Sequence, residues 1–137
     1  MTKSMQRRDK SSDLWRLPMD LTPELASRVL HGLAENHRHR LELLARQGGR
    51  ASMVDLLGVT NDSDLRILSY FQGALSRKIR RLLGSRDKRL HLIGWDYDST
   101  EWNDNHTQIV NGDCYITDVT VSALRRALGM TGATDPP

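Results

Sequence analysis

Leu25, Val29 and Leu33 recur every four residues behind Leu21-Thr22-Pro23-Glu24, which puts one apolar stripe on a helix over 22–34. Thr22 suits the N-cap of that helix. Pro23 suits its first position, where a missing N–H does no harm. Ahead of it, Trp15, Leu17 and Met19 alternate. A second helix follows, capped by Asn36, with Leu41, Leu43 and Leu44 on its apolar side and Gly48-Gly49 as its stop. Arg50-Ala51-Ser52 then leads into a short helix over 53–57, stopped by Gly58. Asn61-Asp62-Ser63 reads as a turn whose last member caps the next helix. That helix, 64–83, is the longest in the chain and ends at Gly84.

Beyond Gly84 the period changes. Leu90, Leu92 and Gly94 alternate with His91, Ile93 and Trp95, and strand-forming residues return in Tyr115-Ile116-Thr117. The stretch 96–113 between them is rich in Asp, Asn, Ser and Thr and reads as a long hairpin loop. A short helix over 119–128 closes the pattern, with Thr120 or Asp118 as its cap and Arg125-Arg126 near its C-terminal end. The expected organisation is a basic arm over 1–12, one domain over 13–128 and a tail over 129–137.

Three helices followed by a two-stranded hairpin resemble the winged helix-turn-helix fold, over about residues 37–117. Arg40-Leu41-Glu42-Leu43-Leu44-Ala45 with Gly48-Gly49-Arg50 is similar to the first helix and turn of such domains, and Met53 to Gly58 to the second helix. Leu75-Ser76-Arg77-Lys78-Ile79-Arg80-Arg81-Leu82-Leu83 looks like the end of a recognition helix. Gly112-Asp113-Cys114-Tyr115-Ile116 looks like the second wing strand. The turn over 59–63 is longer than that of the simplest helix-turn-helix pairs. The resemblance implies an α+β fold with a three-helix core and a two-stranded wing, an extra N-terminal helix and a short C-terminal helix. It also implies a DNA-binding protein of the transcriptional-regulator kind.

Composition sets the bounds. The 137 residues are 38% hydrophobic and 27% charged, enough for one modest core under a strongly solvated surface. Phe71 is the only phenylalanine, so the core must rest on Leu, Val and Ile. The single cysteine, Cys114, excludes an internal disulfide and an all-Cys zinc site, which fits a reducing, cytoplasmic setting. No apolar run reaches the roughly 20 residues of a membrane span.

The net charge of +3 says little alone, although the isoelectric point of about 9.3 leans basic. Its distribution says more. Between Ser63 and His91 stand Arg66, Arg77, Lys78, Arg80, Arg81, Arg86, Lys88 and Arg89, opposed only by Asp64 and Asp87. From Leu92 to Leu124 the chain carries Asp96, Asp98, Glu101, Asp104, Asp113 and Asp118 with no Lys or Arg. One segment attracts phosphate and the next repels it.

At about 100° per residue, Arg66, Tyr70, Gly73, Arg77, Arg80 and Arg81 share one flank of the long helix, and Leu68, Phe71, Leu75, Ile79 and Leu82 the opposite one. Burial of the leucine side therefore turns the arginines outward. A helix fits the major groove of duplex DNA, where Arg can grip guanine or phosphate. The candidate contacts are Arg66, Tyr70, Gln72, Gly73, Arg77, Lys78, Arg80 and Arg81, with Arg86, Lys88 and Arg89 beyond the helix end as phosphate contacts. Base reading falls to Arg66, Gln72 or Arg77. Gly73 allows either a close DNA backbone or another helix of the same chain to approach. A solvated, Arg-rich face is the alternative, but such faces usually mix in acids, and this one holds none.

Other constellations carry less. Asp96-Tyr97-Asp98-Ser99-Thr100-Glu101 opens like a calcium loop, but Glu101 and Thr107 stand where Gly and Glu are required. His37 and His39 lie two apart on a helix and point in different directions. No nucleophile elbow, phosphate loop or zinc-protease motif is present, so neither an enzyme nor a cofactor is expected. The helix over 22–34 is a candidate homodimer contact unless its stripe is used in its own core. Trp95 and Trp102 flank the acidic stretch, and they support a second function, a winged-helix module that binds protein through its hairpin and touches no DNA.

Overall fold

The Thr22 hydroxyl accepts from the Leu25 N–H at 3.1 Å, and this cap starts the first helix in the computed structural model, which describes residues 18–130. The basic arm over 1–12, Trp15, Leu17 and the tail over 131–137 lie outside the described residues. Helix α1 spans Pro23–Leu30 and α2 Glu35–Arg46. Strand β1 (Arg50–Ser52) leads directly into helix α3, Met53–Gly58. The long helix α4 is Arg66–Leu83. Strands β2 (Gly94–Trp102) and β3 (Ile109–Tyr115) form a hairpin, and α5 covers Asp118–Leu128.

Each departure from the sequence reading has a local cause. Helix α1 stops at Leu30, short of 34, because Gly32 adopts a left-handed backbone at φ +70°. Helix α2 starts at Glu35 with no side-chain cap, so Asn36 lies inside it. Asp64 rather than Ser63 serves the start of α4, where its carboxylate accepts from the Arg66 N–H at 3.0 Å. Thr117 caps α5 by accepting from the Thr120 N–H at 3.1 Å. Gly48-Gly49 and Gly84 follow their helices as expected, whereas Gly58 is the last residue of α3 and Val59 its cap. Gly84 and Gly129 are both left-handed, and each leads into a closing bond to a carbonyl of the last turn.

The sheet has three strands in the order β1-β3-β2 rather than the two expected. Strand β1 pairs antiparallel with β3 through Arg50↔Tyr115, Ala51↔Cys114 and Ser52↔Asp113. Three residues are too few to show an alternation of their own. The hairpin also sits later than the alternation suggests. Leu92 and Ile93 are consecutive and both buried, and the His91 carbonyl accepts from Met19, so 90–93 packs as a connector. Strand β2 then runs through the acidic stretch and leaves only 103–108 as the hairpin end.

Polar residues are tolerated there because β2 buckles. Its pairing with β3 jumps from Asp96↔Asp113 to Glu101↔Asn111, and side chains meet the interrupted ladder. Ser99 Oγ donates to the Asp96 carbonyl at 2.7 Å and accepts from the Asp113 N–H at 2.8 Å.

The core is aliphatic around Phe71. It takes Leu21, Leu25, Ala26, Val29 and Leu30 from the α1 region, so the stripe considered for a dimer contact is used inside the chain. Helices α1 and α2 both pack on α5. Gly49 shows how tight that packing is. Its φ is +101°, and an added Cβ would lie 2.7 Å from Val121 Cγ2 and 3.2 Å from the Ile116 carbonyl oxygen. Only glycine fits.

Among the described residues, two polar side chains are fully buried, Arg40 and Thr120. Thr120 Oγ1 accepts from the Leu21 N–H at 2.9 Å and donates to the Met19 carbonyl at 3.2 Å, tying the chain ahead of α1 to α5. No helix of the described residues is long and apolar enough to cross a membrane.

Candidate functional site

Helix α4 buries Leu68, Phe71, Leu75 and Ile79 against the core. The opposite flank faces solvent, with Arg66, Arg77 and Arg81 exposed and Arg80 half-buried. Tyr70, on the same flank, is 64% exposed.

The cations divide by what they touch. Arg66 Nη2 lies 2.7 Å from the Asp64 carboxylate and Arg89 Nε 3.1 Å from that of Asp87. In both pairs the arginine holds the carboxyl below its ordinary range. The Arg80 charge acts on Asp87 as well. Arg77, Arg81, Arg86 and Lys88 are exposed and have no acidic partner among the described residues.

Two further expected contacts are bonded to backbone carbonyls of the chain. Gln72 Nε2 donates to the Ile93 carbonyl at 3.1 Å, tying α4 to the strand lead. Lys78 Nζ donates to the His31 carbonyl at the end of α1. Burial, then the nearby Arg81 charge, lowers the Lys78 pKa from its ordinary value.

No neighbouring helix packs against Gly73 among the described residues. A Cβ placed on it would meet Arg77 Nη1 at 3.1 Å. Helical side chains lean toward the N-terminus, and glycine makes room for the Arg77 guanidinium to lie back over the preceding turn. That restricts where the charge sits.

Among the described residues no ion pair joins the acidic hairpin to α4. Asp96 and Asp113 stand directly opposite each other across β2 and β3, an arrangement that repels. Arg50 resolves it, bonding Asp96 through Nη2 and Asp113 through Nε at 3.0 Å. The hydrogen bond from Arg50 holds the Asp96 carboxyl below the usual range. Sequence reasoning passed over Arg50 because its partners lie 46 and 63 residues away.

It also passed over Arg40, which fixes the connection into α4. Arg40 Nε donates to the Leu56 carbonyl at 2.9 Å and Nη2 to Thr60 Oγ1 at 2.7 Å. Thr60 in turn bonds Asp62, whose charge offsets part of the desolvation of Arg40. The guanidinium also lies 5.8 Å from the centroid of Phe71, the ring that seats α4. The longer turn is therefore held by one buried cation. The signal was a lone Arg among the apolar positions of a helix.

His37 packs on the same ring, with centroids 5.6 Å apart, and its buried Nδ1 has no hydrogen-bond partner. Burial and then the Arg40 charge push its pKa below 6.5. Protonation therefore favours the unfolded chain, and the stability held by neutral His37 is present above about pH 6.5 and lost as pH falls through the lowered native value. The urea midpoint is expected to fall between pH 7.5 and 5.5. That slope is expected to flatten in His37→Gln, and an unchanged slope in the variant would contradict the assignment.

The remaining constellations resolve as structure. Asp96 to Glu101 lie in β2. His39 faces Glu35 at 3.8 Å. Cys114 is buried, and desolvation pushes its thiol up to about 11. Compared with protein-family models, with curated proteins and with solved structures, the chain matches none of them.

Proposed function

We propose that this chain is a winged-helix DNA-binding protein, a transcriptional regulator that lays α4 against duplex DNA. One observation carries the reading. Arg77, Arg81, Arg86 and Lys88 are exposed along the second half of α4 and just beyond it, with no acidic partner among the described residues. An uncompensated cluster of this kind suits a polyanion. The order helix, short strand, helix, helix and hairpin, with the short strand closing the hairpin's far edge, supports the same reading. Gln72 and Lys78 are engaged elsewhere, so the contacts fall chiefly on phosphate and carry register rather than sequence.

The test is fluorescence anisotropy with a labelled duplex at two salt concentrations. Four phosphate contacts give a slope of log K against log salt near −3.6, or a roughly 10²-fold loss of affinity between 50 and 200 mM. The second reading, a protein-binding module, is favoured by the exposure of Tyr97, Trp102 and Val110 on the hairpin. On that reading, duplex affinity is weak at both concentrations.

A further inference from the structure

A cavity of about 220 Å³ lies between the first half of α4, α3 and one face of the hairpin. Its walls are apolar and include Met53, Leu56, Phe71, Trp95, Ile109 and Cys114. Its polar groups come mainly from one side, Arg66, Ser69 and Gln72, at intervals of three along α4.

The walls resist collapse. Phe71 is held from its other contacts by the His37 ring and the Arg40 guanidinium. The Trp95 indole N–H is taken by Thr100 Oγ1 at 3.1 Å, so that residue offers the cavity carbon surface. An apolar space of ~150 Å³ accommodates benzene and serves water poorly. The larger space here suits one substituted ring or two fused rings. Arg66 stands at the rim of this space, its side chain 79% exposed and its guanidinium paired, among the described residues, with the solvent-exposed Asp64. Exposed pairs of this kind hold weakly and exchange readily for another carboxylate.

We propose that this cavity binds a small aromatic carboxylate. The ring lies among Met53, Phe71 and Trp95, and the carboxylate accepts from Arg66 and the Ser69 hydroxyl. If α4 lies on DNA and the duplex reaches Arg66 in addition to the four cations named above, the ligand and the duplex compete for it, so each weakens the other. Only that consequence rests on the proposed function.

The proposal is tested without DNA, by isothermal titration calorimetry of the full chain with 1-naphthoate and with its neutral amide, 1-naphthamide. Saturable one-to-one binding is expected, at least about tenfold tighter for the carboxylate, from the charge-assisted hydrogen bonds. Arg66→Gln is expected to remove that preference and leave the amide unchanged. Ser69 is exposed, so Ser69→Trp keeps the fold, as circular dichroism will show, while its indole blocks the mouth and abolishes binding of both compounds. Three results overturn the proposal: no saturable binding of either compound, equal affinities for the two, or binding unchanged in Ser69→Trp. A failure to bind duplex in the separate anisotropy assay leaves this outcome untouched.

Discussion

Arg77→Glu/Arg81→Glu is expected to lower affinity for duplex DNA on the order of 10²- to 10³-fold near 0.1 M salt. Each substitution deletes a phosphate contact and sets a carboxylate against the backbone. The salt slope should therefore fall by about two. Among the described residues neither side chain has an ion-pair partner, and both are exposed, so stability should stay within about 0.5 kcal/mol per site. Arg46→Glu/Arg126→Glu, on α2 and α5, makes the same change in net charge away from α4. It should leave most of the affinity in place. Equal losses in the two double variants would show that overall charge, and not the α4 flank, attracts the duplex.

Arg40→Met is expected to destabilise the fold by about 3 kcal/mol, measured as a shift of the urea midpoint at constant slope. Replacing a buried charge by an apolar side chain is often neutral when every partner is removed with it. Here the Leu56 carbonyl remains, at the end of α3, without the donor that reached it at 2.9 Å. The orphaned acceptor decides the sign. Thr60→Val keeps that bond and loses those of the partly exposed Thr60 hydroxyl, to Arg40, Asp62 and the Leu57 carbonyl, so it should cost about 1 kcal/mol. A variant at Arg40 as stable as the parent chain would mean that the turn is set by its own sequence. Because Arg40 also touches Phe71, Arg40→Met should loosen α4 on its seat and reduce duplex affinity without removing any surface charge.

The helices were legible in the sequence because their determinants are local. Thr22, Gly84 and Gly129 act on residues within one turn, and the apolar flank of α4 repeats at a period the chain itself displays. The sheet was not, since β1 is three residues long and its partner lies more than 60 positions on. The buckle in β2 places Asp, Ser and Thr in a strand, where composition suggests a loop. At the candidate site, the centre of the cationic flank was legible and its margins were not. Gln72 and Lys78 stand roughly 120° to either side of Arg66 on the wheel. At that angle, the reach of a long side chain to the Ile93 or His31 carbonyl decides whether it faces solvent or the chain. The cavity behind Arg66 had no sequence signal, because its lining comes from four separate elements.

The buckled strand has a consequence for how copies of this protein meet in concentrated solution. A sheet recruits a neighbour through a straight, unpaired row of amide and carbonyl groups along its border. On one side the border is divided between Arg50–Ser52 and the short stretch of β3 that β1 leaves uncovered, 109–112, and on the other the ladder is broken between Asp96 and Glu101. Neither side presents a template of useful length, so this hairpin can keep aromatic residues at its surface without seeding growth by strand addition.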